Sequence, residues 1–245
     1  MKPYDNDFIL KEINKYYNKI NVMKSGNYSI IKGEYDFTNG YMYENMEKHK
    51  YNSLSLLKDD EIIMTISPEE IQGAYGIIKY AKGNVGVVGL GLGYTVQELA
   101  KRENIEKVTV YEISEDVINM YNRNFEHSDK IEVILCNAYY AERKEFDYFF
   151  VDTYDYELSL KVVDDYKKFN KIHKIKEYSF WGMEHFMLNC EYDDILWVYI
   201  PQLWIDMSRK YYSILDMTKY IDYYKILDQK LVKNILMEFK KVLNE

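Results

Sequence analysis

Three glycines, Gly89, Gly91 and Gly93, alternate with other residues over positions 89–93, and an acid, Glu112, ends the next apolar run. Glycines at this spacing let the chain turn sharply from a strand into a helix. They also let a ligand approach the backbone without interference from Cβ atoms. An acid at the end of the following strand can accept hydrogen bonds from both hydroxyls of a ribose. The pattern therefore predicts a site for a nucleoside-bearing cofactor.

The glycine spacing differs from that of two common nucleotide-binding motifs. A dinucleotide fingerprint G-x-G-x-x-G that begins at Gly89 needs glycine at position 94, where the chain has Tyr94. The chain also lacks the G-x-x-x-x-G-K-[ST] sequence of an NTPase phosphate loop. An NAD-dependent enzyme is kept only as one alternative.

The residues around the glycines alternate between strand and helix patterns. Apolar runs at 85–90, 107–111, 131–135, 148–151 and 178–182 predict strands, and 95–103, 115–125 and 158–169 predict helices. Strands that alternate with helices at these spacings imply a parallel sheet with right-handed crossovers. We therefore expect an α/β fold with a doubly wound, Rossmann-like sheet.

The chain before this sheet predicts a small appendage. Positions 5–20 have the apolar period of an opening helix, and β-forming residues between 27 and 66 predict an antiparallel hairpin with turns at Asn39-Gly40 and Asp59-Asp60. A helix is expected from Ser67-Pro68-Glu69-Glu70 to Ala81, because serine caps helices and proline fits the first helical position.

The chain after the sheet predicts a helical tail. One apolar stripe runs through it, and we interpret this stripe as core packing: Tyr224, Leu227, Leu231, Ile235, Phe239 and Val242. We expect a single domain in three parts, an N-terminal appendage (1–65), a cofactor-binding core (66–185) and the helical tail (186–245).

Composition narrows the function further. The 245 residues carry a net charge of −8, which argues against affinity for nucleic acid or anionic membrane. Cys136 and Cys190 lack the spacing of a disulfide framework or a zinc site, and the histidines have no ligand spacing, so no metal is expected. The N-terminus lacks the apolar region of a secretory signal, and no apolar run has the length of a membrane span. We expect a cytoplasmic protein.

Four blocks of sequence carry a resemblance to a known family. They are VVGLGLGYTVQEL (87–99), VTVYEISEDVINMY (108–121), KIEVILCNAYY (130–140) and FDYFFVDTY (146–154). In this order they resemble the class I S-adenosylmethionine-dependent methyltransferases, and within them the spermidine-synthase-like branch. The resemblance covers roughly residues 66–185, about half of the chain. It implies S-adenosylmethionine as the cofactor.

The resemblance also implies roles for the residues of the cofactor site. The three glycines would line the methionine portion, Glu112 would bind the ribose hydroxyls, and Asn137 would meet the adenine amine, with Ala138 beside it. Asparagine replaces the family's usual aspartate at 137, and its carbonyl can accept the same hydrogen bond. Asn137 is equally suited to cap the following helix, and this alternative stays open.

Asp152 is the candidate catalytic residue. In the aminopropyltransferases that the chain resembles, the matching aspartate orients and deprotonates an amine, so Asp152 would act as a general base or as an electrostatic partner of a cationic substrate. It could instead cap the loop that follows. Tyr154 and Asp155 are accessory candidates, and Trp181 and His185 are candidates to line the acceptor pocket.

Two departures from known patterns limit the choice of acceptor. The aminopropyltransferase loop G-G-G-[DE]-G-G has a second acid, whereas this loop has Leu92 and Tyr94, which disfavours polyamine synthesis. The D/N-P-P-Y signature of amino-methylating nucleic-acid methyltransferases would occupy 152–155, where both prolines are missing. The basic run Lys167, Lys168, Lys171, Lys174 and Lys176 is interpreted as a solvated helix face.

These observations predict an S-adenosylmethionine-dependent methyltransferase that acts on a small-molecule or peptide acceptor. Two alternatives remain besides the NAD-dependent enzyme. One is an aminopropyltransferase-like enzyme that uses decarboxylated S-adenosylmethionine, and the other is a noncatalytic binding module that retains the nucleotide fold. The oligomeric state, a homodimer included, is left open.

Overall fold

An antiparallel sheet and a helix form the N-terminal part of the protein. The structure is a computed structural model that describes residues 2–37, 39–44, 47–154 and 156–245, so Asp155 lies outside the described residues. The opening helix α1 (Asn6–Lys19) is confirmed, and its N-cap Asp5 accepts a hydrogen bond from the Phe8 amide. Four strands follow: β1 (Met23–Ser25), β2 (Tyr28–Phe37), β3 (His49–Lys58) and β4 (Glu61–Ile66), paired in this order.

The antiparallel appendage that was expected is therefore present as a four-stranded sheet. The turn at Asp59-Asp60 is confirmed, since both residues have positive φ values (50° and 64°) between β3 and β4. The turn expected at Asn39-Gly40 is wrong by two residues, because Gly40 and Tyr43 exchange backbone hydrogen bonds of 3.2 and 3.3 Å.

Burial explains the displaced turn. Tyr41 and Tyr43 are 1% and 6% exposed, and the Lys225 amide donates to the Met42 carbonyl at 2.9 Å. The aromatic side chains of this segment thus pack against the C-terminal part of the chain. Their burial overrides the local turn preference of Asn-Gly.

The helix predicted up to Ala81 is divided into α2 (Pro68–Gly73) and α3 (Tyr75–Tyr80). Ser67 caps α2 as expected, because its hydroxyl accepts a hydrogen bond from the Glu70 amide at 3.2 Å. The division coincides with Gly73, where a Cβ atom would lie 2.5 Å from Nε1 of Trp181.

The predicted α/β core is confirmed. It contains β5 (Gly83–Val88), α4 (Tyr94–Ala100), β6 (Ile105–Glu112), α5 (Glu115–Asn124), β7 (Ile131–Leu135), β8 (Glu145–Val151), α6 (Lys161–Ile172) and β9 (Lys174–Phe180). The strands pair in the order β7-β6-β5-β8-β9, and every pairing is parallel. The strand order reverses between β5 and β8, which is where ligands bind in doubly wound sheets.

Helices form the tail as predicted: α7 (Met183–Leu188), α8 (Tyr192–Val198), α9 (Gln202–Met217) and α10 (Gln229–Leu243). The apolar stripe is core packing, with Ile235 and Phe239 of α10 fully buried, although Tyr224 and Leu227 precede that helix. Within the described residues, no helix combines the length and the apolar character that a bilayer crossing needs.

Candidate functional site

The glycine loop leaves β5 directly beside the end of β8. Gly89 has φ = 99°, and a Cβ atom there would lie 2.5 Å from the Asp152 carbonyl oxygen. Gly91 has φ = 51°, and its Cβ would lie 2.4 Å from Sδ of Met64. Only glycine accommodates both the positive φ and these close approaches. The loop therefore presents bare backbone at the switch point of the sheet.

Gly93 follows the other two glycines at the start of α4. It is the N-cap of that helix with φ = 78°, and a Cβ there would lie 2.6 Å from the Tyr121 ring. It is not among the residues that line the cavity described next. The positive φ and the close ring account for a glycine here, and its contact with the cofactor stays a prediction.

A cavity of about 390 Å³ lies over the carboxyl ends of β5, β6 and β8. Its volume falls within the range of ordinary ligand sites. Gly89, Gly91, Glu112, Asn137 and Ala138, which the sequence predicted for the cofactor, all line it. We call this the cofactor cavity.

Glu112 is held in a fixed orientation at the cofactor cavity. Its Oε2 accepts a hydrogen bond from the Leu90 amide at 3.0 Å, and its Oε1 accepts one from the Ser114 amide at 2.9 Å. Each carboxylate oxygen has a further lone pair, so the two oxygens can still accept hydrogen bonds from a pair of hydroxyls. The carboxylate, the bare glycine backbone and the volume together fit an adenosyl cofactor.

Asn137 caps the turn that follows it and also lies at the wall of the cofactor cavity. Its Oδ1 accepts a hydrogen bond from the Tyr139 amide at 3.0 Å, which makes it the N-cap of a short 3-10 turn, Ala138–Tyr140. The same residue lines the cofactor cavity. The capping bond leaves the amide nitrogen and a second oxygen lone pair for a ligand.

A second, smaller cavity of about 160 Å³ shares six lining residues with the first, namely Ile63, Gly89, Leu90, Gly91, Asp152 and Thr153. Its other walls come from β4, α2, α4 and the segment after β8, namely Met64, Glu70, Tyr94, Thr95, Val96, Tyr154 and Tyr156. We call it the acid chamber, because two of its lining side chains are carboxylic acids.

Glu70 is the buried acid of the chamber and is only 3% exposed. The Tyr156 hydroxyl donates to its Oε2 at 3.3 Å, whereas its Oε1 has no hydrogen-bond partner among the described residues. Burial, and then the charge of Asp152, raise the pKa of Glu70 well above its usual value. The sequence placed Glu70 at the start of a helix, where it only echoes the acidic segment that precedes the first core strand of aminopropyltransferases, and its position in the chamber was not predicted.

Asp152 is the second acid and lines both cavities. Its amide donates to the Val88 carbonyl at 3.0 Å, which continues the β5–β8 pairing and fixes the residue at the switch point. Burial raises the pKa of its carboxyl to about 7. Both acids therefore keep their protons to a higher pH than exposed carboxyl groups do.

Two residues that line the chamber have hydroxyl groups without a hydrogen-bond partner in the described part of the chain. The Tyr94 hydroxyl and Oγ1 of Thr95 are buried without a hydrogen-bond partner among the described residues. Buried polar groups are normally hydrogen-bonded, so these atoms and Oε1 of Glu70 have hydrogen-bonding capacity that the described residues do not use.

Of the other sequence candidates that the structure describes, Tyr154 lines the chamber, whereas Trp181 and His185 lie outside both cavities. Trp181 packs behind the chamber, with its ring 4.9 Å from that of Tyr156. His185 contacts the Lys225 carbonyl through Nε2 at 2.7 Å. In the described part of the chain, no group of three or more His, Cys, Asp and Glu side chains is placed to hold a metal ion.

The basic run is largely neutralised by nearby carboxylates. Lys167 pairs with Glu245 at 3.1 Å, Lys174 pairs with Glu145 at 3.1 Å, and Lys176 pairs with Asp147 at 2.6 Å. Lys168 lies over the Tyr139 ring, 3.7 Å from its centroid. These contacts are those of a solvated, ion-paired surface.

Comparison with solved structures finds methyltransferases and a related synthase. The 23S rRNA methyltransferase ErmE is 26% identical over 32% of this chain and 34% of its own, with a TM-score of 0.29. A phosphoethanolamine N-methyltransferase from Haemonchus contortus is 17% identical over 42% of this chain and 23% of its own (TM-score 0.34). Spermidine synthase from Thermotoga maritima is 16% identical over 63% of this chain and 52% of its own (TM-score 0.38). The chain thus spans between a quarter and about half of their lengths, and no curated protein matches it.

A family model described as ribosomal RNA adenine dimethylase matches residues 47–190, more than half of the chain. The match supports the predicted cofactor, S-adenosylmethionine, because the family uses it. The family's name conflicts with the expectation that nucleic acid is not a partner, and the spermidine-synthase branch remains a prediction. The chain belongs to the ribosomal RNA adenine dimethylase family, whose members are S-adenosylmethionine-dependent methyltransferases.

Proposed function

We propose that this protein transfers a methyl group to the amine nitrogen of a small, positively charged acceptor that binds in the acid chamber. The observation that carries the proposal is the pair of acids, Glu70 and Asp152, in a chamber that shares six lining residues with the cofactor cavity. The cofactor and the acceptor would thus meet at Asp152.

The charge of the chamber supports a cationic acceptor. Neither lysine nor arginine is among its lining residues, so its negative charge has no cation beside it in the described part of the chain. An uncompensated buried charge is costly, and an ammonium group would offset this cost while also donating hydrogen bonds to the free Oε1 of Glu70. A volume of about 160 Å³ is below that of drug-sized sites and favours a small acceptor group.

The two acids would have different roles in the reaction. S-adenosylmethionine, when bound, supplies a methyl group activated by a positively charged sulfur. Asp152, with a carboxyl pKa of about 7, accepts the proton of the acceptor's ammonium group and so frees the nitrogen lone pair. Glu70 keeps its proton to a higher pH, because burial and Asp152 both raise its pKa.

The residues that we propose to hold the cofactor are those at the cofactor cavity. Gly89 and Gly91 offer backbone to the methionine portion, Glu112 accepts the ribose hydroxyls, and Asn137 with Ala138 borders the adenine. Strand β4 contributes Ile63 to both cavities, so we propose that the appendage helps to select the acceptor.

Methylation of adenine in ribosomal RNA is the second candidate, and the family match favours it. Three observations weigh against it. Both prolines of the D/N-P-P-Y signature are missing, the basic run is ion-paired, and the net charge is −8. Binding to RNA depends on free lysines and arginines that displace counterions, and these surfaces do not supply them.

Methyl transfer from methyl-labelled S-adenosylmethionine separates these candidates. One reaction series contains small primary and secondary alkylamines, and a parallel series contains unmodified ribosomal RNA transcripts. We expect label in an amine and none in RNA, with S-adenosylhomocysteine as the co-product. Label in RNA alone would replace the amine proposal with the second candidate. Release of methylthioadenosine from the decarboxylated cofactor would indicate aminopropyl transfer instead.

Turnover also distinguishes an enzyme from a binding module. Asp152→Asn is the matched inactive variant, since it keeps the size of the side chain and removes its charge. If the wild-type protein binds S-adenosylhomocysteine but labels neither amine nor RNA, the noncatalytic alternative is favoured.

A further inference from the structure

We infer that Asp165 is a positioning residue that links a wall of the cofactor cavity to a wall of the acid chamber. Asp165 lies in α6 and is 2% exposed, and the family resemblance assigned it no role. It lines neither cavity itself. Its carboxylate instead accepts hydrogen bonds from three side chains that do.

The first contact reaches the cofactor cavity. The Tyr139 hydroxyl donates to Oδ1 of Asp165, and the Tyr139 ring stacks on Phe169 with centroids 5.2 Å apart. Tyr139 and Phe169 both line the cofactor cavity beside Asn137 and Ala138. Asp165 therefore orients the wall that borders the proposed adenine position.

The second contact reaches the acid chamber. The Tyr154 hydroxyl donates to Oδ2 of Asp165 at 2.9 Å, and Tyr154 lines the chamber. Burial, followed by the nearby Tyr178 and Asp165, raises the pKa of Tyr154 far above its usual value, so the phenol stays protonated and acts as a donor.

The third contact joins the other two. Nζ of Lys161, which lines the cofactor cavity, donates to Oδ2 of Asp165 at 2.5 Å. The same ammonium lies over the rings of Tyr154 and Tyr139, 4.9 and 5.7 Å from their centroids. Hydrogen bonds to a buried carboxylate are charge-assisted and directional, so one side chain sets the position of all three groups.

The part of the inference that concerns the acid chamber rests on the proposed function, whereas the part that concerns the cofactor cavity does not. Two ligands test the two parts separately. S-adenosylhomocysteine reports the cofactor cavity. Sinefungin, in which a carbon bearing an amine replaces the sulfur of S-adenosylhomocysteine, also presents a cation to the acid chamber. The experiment measures both dissociation constants by calorimetry, together with the melting temperature, for each variant.

We expect Asp165→Asn to weaken the binding of S-adenosylhomocysteine about tenfold, which corresponds to the loss of one charge-assisted hydrogen bond. It should also reduce the ratio by which the protein prefers sinefungin over S-adenosylhomocysteine. Tyr139→Phe should weaken both ligands equally, and Tyr154→Phe should reduce only the sinefungin preference. Asp164→Asn is the matched control, because Asp164 is exposed on the same helix. It should leave both constants unchanged.

A purely structural role for Asp165 would lower the melting temperature and leave both dissociation constants at their wild-type values, and this result would overturn the inference. If Asp165→Asn does not fold, Tyr139→Phe and Tyr154→Phe provide the test. Wild-type dissociation constants in both of these variants would also overturn the inference. If the wild-type protein shows no sinefungin preference, the amine proposal fails, whereas the Tyr139 contact is still tested by S-adenosylhomocysteine alone.

Discussion

The protein contains two sites with deeply buried acids, and they differ in what surrounds the carboxyl group. Glu184 of α7 and Glu70 of α2 are each 3% exposed. Burial raises the pKa of both, to about 7 for Glu184 and well above the usual value for Glu70. Burial and pKa alone therefore do not distinguish them.

Their surroundings do distinguish them. Oε2 of Glu184 accepts a hydrogen bond from the Tyr41 hydroxyl at 3.1 Å, inside an aromatic cluster where Tyr41 and Tyr211 meet edge to face at 5.6 Å. Glu184 lines neither the acid chamber nor the cofactor cavity, whereas Glu70 faces Asp152 across the chamber with a free oxygen. A raised pKa marks a functional acid only where a cavity and an unmet hydrogen bond accompany it.

The largest predicted contrast is in activity. Asp152→Asn should lower methyl transfer by roughly 10²–10⁴-fold, the usual contribution of a general base. Glu184→Gln should change it less than about threefold, because it removes a buried charge outside the site. Initial rates at saturating S-adenosylmethionine measure both. Equal losses in the two variants would remove the distinction between the sites.

The second contrast is in stability. The folded-state pKa of Glu184 lies above its unfolded value, so the folded protein binds more protons and the free energy of unfolding falls as pH rises from about 4.5 to above 7. Glu184→Gln should remove up to about 3 kcal/mol of this loss. In urea unfolding, the wild type and Glu184→Gln should have similar free energies of unfolding at pH 5. At pH 8 the variant should be the more stable of the two. A variant less stable than the wild type at pH 8 would contradict this account.

The third contrast is in the pH dependence of the rate. If ionised Asp152 is the base, kcat/KM should rise about tenfold per pH unit up to about pH 7 and then level off. The Glu184→Gln protein should follow the same profile. A profile that is flat between pH 5 and 8 in the wild type would exclude Asp152 from the proton transfer.

The smallest contrast concerns the two tyrosines that donate to these acids. Tyr41→Phe leaves a fully buried acceptor without its donor and should cost about 1–3 kcal/mol of unfolding free energy. Tyr156→Phe also removes a donor from a buried acceptor, Oε2 of Glu70, but this hydrogen bond is longer (3.3 Å) and its donor is 41% exposed, so the cost should be smaller, about 0.5–1 kcal/mol. Thermal unfolding of the two variants, side by side, gives the comparison, and a larger loss in Tyr156→Phe would reverse it.

The same comparison explains how much of the molecule the sequence could predict. The parallel core, the glycine loop, Glu112 and Asp152 follow from local patterns, since each residue lies at the end of a strand that its neighbours identify. The structure confirms the fold, and it brings all of these residues except Gly93 to one cavity.

The acid chamber could not be predicted in this way. Glu70 precedes the first strand of the core and meets Asp152 only because α2 packs over the ends of β5 and β8, which is a tertiary arrangement without a local signature. The turn near Asn39 was misplaced for a related reason, because the burial of Tyr41 and Tyr43 depends on the tail of the chain. In the sequence, the adjacent acids Glu69 and Glu70 just before the first strand of the core were the feature that could have pointed to this site.

The central claim is that the acid chamber binds a cation beside the cofactor. Calorimetric titration of the wild-type protein with sinefungin and with S-adenosylhomocysteine at pH 7.5 tests it most directly, since the two ligands differ at the atom that carries the amine. We predict that sinefungin binds at least about tenfold more tightly and that Glu70→Gln combined with Asp152→Asn abolishes this preference. Equal affinities in the wild type, or a preference that survives in the double variant, would contradict the account.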